Sequence, residues 1–460
     1  MLTTEGGAIL AKGKVQTFLF TGLLAALSLV SPGNTQERGW STLTIDSESA
    51  VGRYTSIAVD ARGDPMISYL DFTDGNLKFA ICDRFGSTNG DCNEARDWST
   101  AAADSEGAVG WFTSIAVDGR GDPMISYQDW TNGELKFAIC DRSASTSGDC
   151  NRPNDWRTET LDAVGNTGYW TSITADASGD PMMSYLDGTV GLKFAICKRS
   201  ASSNGNCDQT SDWTKATVDS AADVGAYTSI AVGGKGDPMI SYHDGMNADL
   251  KFAICHRSAS TNGNCDQTSD WREVIVDSAG DVGWSTSVAV DRNGDPMISY
   301  HEDTGWDLRF AICDLSESAN GNCDRTGDWS TETVDSEGHI GRYNSIAVDA
   351  SGNAIIAYND NMNWDLKFAI ASPSSHSATS PSTPTPIPTA TPAVARTATP
   401  PVSPVGGGTP YPDLPEGTTD GPGSLGEGGG HDYRIVAGGI AAAVLAAAAG
   451  AWYARRRWLR

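Results

Sequence analysis

Short runs in which apolar and polar residues alternate recur along the chain, and none of them carries the three-and-four spacing of an amphipathic helix. In the first unit they are Thr55 to Asp60, Pro65 to Asp71, Leu77 to Cys82 and Trp98 to about Ala103. Each is rich in β-branched and aromatic residues and is bounded by Gly, Asp, Asn or Pro, which predicts strands. The set then repeats. Trp40, Trp98, Trp156, Trp213, Trp271 and Trp329 follow one another at steps of 58, 58, 57, 58 and 58 residues, and TSIAVD-like runs recur six times between Thr55 and Asp349. Four strands per unit in six units predict an all-β, six-bladed β-propeller with four-stranded blades over residues 39–372.

The first Trp run precedes the first TSIAVD run, whereas the last unit stops after LKFAIA at Ala371 with no Trp run of its own. Trp40 to Asp46 is therefore expected to be the outer strand of the sixth blade, paired with Leu366 to Ala371, which closes the ring and covers exposed sheet edges. A linear stack of the same units is the competing architecture, and it would leave a unit short of a strand at each end.

Ten cysteines fall as five pairs, each ten positions apart: Cys82 with Cys92, Cys140 with Cys150, Cys197 with Cys207, Cys255 with Cys265, and Cys313 with Cys323. The sixth unit lacks both members, as disulfide pairing predicts. Closing each loop stabilises the fold by about 2.5 to 3 kcal/mol on chain entropy alone. Zinc is the rival reading, but zinc sites favour two-to-four-residue Cys spacings and convergent His. Disulfides imply an oxidising compartment.

The chain ends agree with that compartment. Lys12 and Lys14 precede an apolar run from Val15 to Val30, so residues 1–36 read as a signal peptide. Residues 373–430 are dominated by Ser, Thr, Pro and Gly and are expected to form an extended stalk. Residues 435–454 form an apolar run followed by Arg455, Arg456 and Arg457, which predicts a transmembrane helix with a cytoplasmic basic tail at 455–460. The expectation is a single-pass cell-surface protein with an extracellular, monomeric propeller. Leu414-Pro415-Glu416-Gly417-Thr418 resembles a sortase signal with its last two residues exchanged, a competing mode of anchoring.

The propeller plan puts the loop after the fourth strand and the loop between the second and third on one face. Two residues past the strand-two Tyr sits an acid in every unit: Asp71, Asp129, Asp187, Asp244, Glu302 and Asp360. Aromatics precede the innermost run at Tyr54, Phe112, Trp170, Tyr227 and Tyr343, with Ser285 breaking the series and Trp111, Tyr169 and Trp284 one residue earlier. Phe72, Trp130, Trp306 and Trp364 fall in the loops between strands two and three. Aromatic planes beside carboxylates and amides suit a neutral sugar, whose CH groups lie on the ring while its hydroxyls donate. Repetition around a ring adds multivalency. A structural reading stands beside this one, with regular acids bonding turn backbones and regular aromatics filling gaps between blades. Packing does not demand Trp130, Trp306 or Trp364, which lack a counterpart in every blade.

Other motifs are weaker. Arg62-Gly63-Asp64 and Arg120-Gly121-Asp122 spell an adhesion tripeptide, but equivalent turns elsewhere keep only the Gly, as turn chemistry requires. No cofactor is expected. Calcium has two candidate places: the Cys loops, where Ser and Asn replace the acids of a calcium loop, and the axis at Asp60, Asp118, Asp176, Asp291 and Asp349, where Gly233 interrupts the set. Catalysis calls for a departure from sixfold repetition, and the candidates are His243, His301, Glu302 with Asp303, and His339, among which no nucleophile and base can be paired.

The unit SIAVDxxGDPMISYxD…LKFAIC resembles the repeats of secreted bacterial and archaeal surface propellers grouped loosely with the BNR, or Asp-box, sialidase-like proteins, from Trp40 to Ala371. The resemblance implies the fold. The Asp-box spacing itself is not met, because two residues separate Asp60 from Gly63. Such sialidases use an arginine cluster for the substrate carboxylate, whereas Arg84, Arg142, Arg199 and Arg257 follow the first Cys of their units and fall on the opposite face.

Lys and Arg number 32 against 58 Asp and Glu, a net charge of -26, which disfavours nucleic acid and anionic membrane as partners. The expected partner is an extracellular glycan or surface protein, bound without catalysis. The alternatives are a glycoside hydrolase or lyase acting through Glu302 and Asp303, and a structural envelope protein.

Overall fold

The computed structural model describes residues 43–371 apart from 49, 88, 89, 350 and 364. Six antiparallel sheets succeed one another along the chain, at residues 51–104, 109–162, 167–219, 224–277, 282–335 and 340–370. The first five have four strands in sequential order, and the sixth has three among the described residues. This is an all-β, six-bladed propeller.

Observed strands in blade 1 are Val51–Val59, Pro65–Asp71, Asn76–Cys82 and Trp98–Asp104. Three match their expected extents to within a residue; the inner strand starts four residues early. A bulge allows this. Pairing with the second strand slips between Val51 and Arg53 and again between Arg53 and Ser56. Gly52, at φ 90°, and Tyr54, at φ 52°, supply the left-handed backbone. Phe112, Trp170, Tyr227, Ser285 and Tyr343 take the same conformation at φ 46° to 53°. Holding a non-glycine residue there costs on the order of 1 kcal/mol or more.

Each core lies between two blades. Leu77, Phe79 and Ile81 from blade 1 pack on Val109, Ile115, Tyr127 and Trp156 from blade 2. Phe79 meets Trp156 edge-on at 4.8 Å between ring centroids, and Trp156 Nε1 donates to the Cys150 carbonyl at 2.9 Å.

All five expected disulfides are formed. Cys82 is bonded to Cys92, Cys140 to Cys150, Cys197 to Cys207, Cys255 to Cys265, and Cys313 to Cys323, with Cα separations of 5.9 to 6.0 Å. The first member of each pair ends a third strand, as expected. The second members carry a feature the spacing did not announce: Cys92, Cys150, Cys207, Cys265 and Cys323 all have left-handed backbone, at φ 54° to 56°. That turn aims each carbonyl at the indole of its own outer strand. Trp98, Trp213, Trp271 and Trp329 donate to Cys92, Cys207, Cys265 and Cys323 just as Trp156 does to Cys150. With every cysteine bonded, the zinc reading lapses.

A buried polar triad crosses the same junctions. Asp104, which ends the outer strand of blade 1, accepts from Tyr127 Oη at 2.7 Å and Lys136 Nζ at 2.5 Å, both in blade 2. Asp162 with Tyr185 and Lys193, Asp219 with Tyr242 and Lys251, and Asp335 with Tyr358 and Lys367 repeat it. In blade 5, Arg309 replaces the lysine opposite Asp277. Burial alone would raise the carboxyls of Asp162, Asp219 and Asp335. The lysine and tyrosine donors outweigh it and hold all three below the ordinary 3.8.

On the opposite face, the candidate axial calcium ligands are occupied by protein donors. Asp60 Oδ1 accepts from Arg62 N and Asp64 N within its turn, and Asp60 Oδ2 from Arg142 Nη1 of the next blade at 2.8 Å. Arg199 meets Asp118 and Arg257 meets Asp176 in the same way. These arginines are interblade ties. Arg62 also lies 3.3 Å from both Asp60 and Asp64, so the adhesion-like tripeptide is folded back on its own turn.

The expected signal peptide, stalk, apolar run at 435–454 and basic tail lie outside the described residues, as do Trp40 to Thr42 of the closing run. Leu43 to Asp46 are described, without strand structure. Among the described residues no helix is long and apolar enough to cross a membrane.

Lys136→Met is expected to destabilise the fold by about 3 to 5 kcal/mol, because Asp104 is left buried without its cation. Arg96→Ala, at an ion pair with Glu94 that is exposed at both partners, should cost under about 1 kcal/mol; denaturant midpoints separate the two. Since the carboxyls of Asp162, Asp219 and Asp335 are depressed, their contribution is complete above the unfolded value near 3.8 and vanishes as pH falls through the folded values. Acid unfolding should therefore begin only below about pH 4.

Candidate functional site

Hydrogen bonds confirm that the loops expected on one face share it. Val109 N donates to Gly75 O, Thr167 N to Gly133 O and Ile340 N to Trp306 O, joining each loop between strands two and three to the entry of the next blade.

The six repeated acids lie inside their own turns. Asp71 accepts from Thr73 N and Asp74 N, and Asp129 from Thr131 N and Asn132 N. Asp187 accepts from Thr189 N, Asp244 from Asn247 N, Glu302 from Thr304 N and Gly305 N, and Asp360 from Met362 N and Asn363 N. All six are at most 6% exposed. For Asp71, Asp129, Asp187, Asp244, Glu302 and Asp360, the contacts support the structural reading over the ligand reading. Both Glu302 oxygens are engaged by turn amides, which also speaks against Glu302 as a general acid.

The aromatics do come together. Tyr54, Phe112, Trp170 and Tyr227 form a collar with successive centroids 5.1, 5.7 and 5.2 Å apart. Outside it, Trp111 stacks on Trp130 at 4.6 Å and 25°, Phe72 meets Trp111 at 6.0 Å, and Tyr169 meets Trp130 edge-on at 6.0 Å. Phe72 and Trp130 are 42% and 39% exposed. Arg53 lies over Phe72, its Cζ 4.2 Å from the centroid, and Asn166 Nδ2 donates to Tyr169 Oη at 2.7 Å. This platform spans blades 1 to 3. Gly188 and Gly245 occupy the positions of Phe72 and Trp130 in blades 3 and 4, so it is not a requirement of the repeat.

Blade 5 differs. Trp284 lies 4.8 Å from the ring of His243 and donates from Nε1 to Asp281 Oδ1 at 2.6 Å. Trp306 is not a free plane: His339 stacks on it at 4.3 Å and Arg342 Cζ lies 5.1 Å from its centroid. Its backbone is left-handed at φ 64°, a conformation that Gly75 and Gly133 provide in blades 1 and 2. Asp303 joins the buried His301 Nε2 at 3.2 Å to Arg342 Nη2 at 2.8 Å. The hydrogen bond from His301, opposed by burial and assisted by Arg342, holds the Asp303 carboxyl down at about 2. Trp364 lies outside the described residues.

Arg53, Asn166, Asp281 and Arg342 belong to these clusters, and sequence reasoning missed them. For Asn166 and Asp281 the signal was there: Ala108, Asn166, Asp281 and His339 fill one column just before the inner strand, and that column varies in charge and size from blade to blade.

No family model and no curated protein matches the chain. Among solved structures, the intramolecular trans-sialidase of Ruminococcus gnavus is similar at a TM-score of 0.43 and 11% identity, covering 69% of this chain and 94% of that one. The leech intramolecular trans-sialidase gives 0.43 and 12% over 72% and 70%. The Aleuria aurantia lectin in complex with α-methyl-L-fucoside gives 0.40 and 13% over 69% and 94%. Similarity of this degree carries no argument about what the chain does.

Asp303→Asn is expected to cost about 1 to 2 kcal/mol at pH 7, where the depressed carboxyl is fully charged. The contribution is lost as pH falls from the unfolded value toward 2, so the gap in denaturant midpoint between variant and parent should narrow from pH 4 to pH 3.

Proposed function

We propose that this protein is an extracellular, non-catalytic recognition module that binds neutral glycans through the platform of Phe72, Trp111, Trp130 and Tyr169. The observation that carries the reading is the stacked Trp pair of blade 2, with Trp130 39% exposed and Trp111 half-buried, flanked by Phe72 and Tyr169 and without an equivalent in blades 3 and 4. A pyranose ring covers an indole face, and Asn166 and the Tyr169 hydroxyl stand beside it to meet sugar hydroxyls. The net charge of -26 disfavours anionic sugars. Five disulfides support an extracellular setting, and we assign display at the cell surface to the stalk and the apolar run at 435–454.

Hydrolysis or lysis would need an acid and base in the asymmetric blade. Asp281 and Asp303 are both held below the ordinary carboxyl range: Asp281 by its His243 and Trp284 neighbours, and Asp303 by His301 and Arg342. Neither is suited to donate a proton near neutral pH, which favours binding over catalysis.

A glycan array probed with the full chain in detergent tests the reading. Trp111→Ala and Trp130→Ala should each weaken binding to a neutral glycan at least about tenfold, in line with roughly 1 to 3 kcal/mol for a stacked ring. Phe85→Ala, on the opposite face, should leave it unchanged. Silence of the parent chain on the array, or full binding by both Trp variants, defeats the proposal.

A further inference from the structure

Each four-stranded blade ends in an outer strand with no further strand of its sheet beside it. Such edges invite pairing with another chain, and charged side chains are the usual guard. The outer strands of blades 2 to 5 all carry at least one: Arg157 and Glu159, Lys215, Arg272 and Glu273, and Glu332. Between Trp98 and Asp104 the outer strand of blade 1 reads Ser-Thr-Ala-Ala-Ala and carries none.

Blade 2 shows how an edge is covered. Arg157 Nη1 donates to Asp208 Oδ2 at 2.6 Å, Thr210 N donates to Glu159 Oε1 at 3.0 Å, and Thr210 Oγ1 donates to the Thr160 carbonyl at 2.9 Å. Thr160 Oγ1 in turn donates to Glu134 Oε2 at 3.3 Å. Asp208 and Thr210 come from blade 3, so the cover is shared between neighbours. One blade earlier all six positions differ. Ser99, Ala101, Ala102 and Asn76 stand where blade 2 has Arg157, Glu159, Thr160 and Glu134, and Asn151 and Pro153 stand where blade 3 has Asp208 and Thr210. Proline has neither the amide hydrogen nor the hydroxyl that Thr210 uses.

These replacements leave a cavity of about 550 Å³ against the edge of blade 1, with Asn76, Ala101, Ala102, Asn151 and Pro153 all in its wall. Thr100 is exposed beside them. Glu48, Asp71 and Asp74 add three carboxylates, while the lining lysine, Lys78, is engaged by Asp46 at 2.5 Å. Among the described residues no aromatic ring lines the cavity, so the stacking that suits a sugar ring is not on offer. A bare strand edge with small side chains and a negative wall fits an extended, basic polypeptide. Main-chain hydrogen bonds to the edge give affinity, and lysine or arginine side chains meeting the carboxylates give specificity. The net charge of -26 steers such a segment toward the protein.

We propose that the outer strand of blade 1 is a docking edge for a partner protein, which adds an extended lysine- or arginine-bearing segment as a fifth strand beside residues 99–103, its basic side chains directed at Glu48, Asp71 and Asp74. The occupant is a basic peptide and not a second copy of this chain, because two copies paired edge to edge would set the same carboxylates against one another. The inference does not rest on the glycan reading.

A capped nonapeptide of alternating valine and lysine, titrated against the full chain in detergent at low salt, is the probe. It is expected to bind, to slow amide exchange in residues 99–103 but not in residues 157–161, and to bind more weakly as salt rises. The triple variant Ala101→Glu, Ala102→Thr, Pro153→Thr installs the cover found on blade 2. The double variant Glu48→Gln, Asp74→Asn removes two charges from the wall, and asparagine already stands at the second position in blade 2, as Asn132. Each variant should lower affinity at least about tenfold, and the double variant keeps the test decisive if the triple variant fails to fold. Undiminished binding by a folded variant assigns the uptake to general charge attraction, and equal binding of a valine–glutamate peptide removes the role of the wall. Absence of binding to the parent chain, or a parent dimer whose residues 99–103 are protected without peptide, gives the edge no basic partner. Any of these four results overturns the proposal.

Discussion

Around this ring each blade hands a buried carboxylate to its neighbour. The acid that ends an outer strand is received by a tyrosine hydroxyl and a lysine or arginine of the next blade, beneath the apolar seam where Phe and Trp meet. A carboxylate so enclosed cannot be left alone, since removing its cation strands a charge in low dielectric. The triad therefore fixes how far each blade sits from the next and which way it leans. Turn carboxylates on the upper face and arginine ties on the lower face are likewise satisfied by donors close at hand. This accounts for much of the acidity of the chain without invoking a ligand.

The fold was legible because its rules repeat. Trp98 and its counterparts mark outer strands at a constant step, and the paired cysteines mark the loops that precede them. What stayed hidden was conformation without a residue signature. The left-handed bulge at Tyr54 is occupied by Tyr, Phe, Trp and Ser in different blades, so no residue type announced it, and the inner strand began four residues ahead of its pattern. Lys78 and Asp46 lie 32 positions apart, and nothing in the sequence around either residue says they meet.

The site was legible in the opposite way, through departures from repetition. Asp71, Asp129 and their equivalents looked like ligand groups because every blade has one, and that regularity is what a turn-bonding role produces. Trp130 stood out because blades 3 and 4 carry glycine there. Trp306 stood out because blades 1 and 2 carry glycine at its position, yet its indole is covered by His339 and Arg342. Sequence marked where the ring is individual, and only geometry told an open aromatic face from an occupied one.

The handover of a carboxylate from one blade to the next is written in the same residues at every junction, with one arginine substitution. Chemically, any blade could follow any other. A gain or loss of one whole unit would leave every remaining handshake matched, so the polypeptide holds no local instruction for the number six. Copy number in such a lineage can drift by duplication without inventing a single new contact.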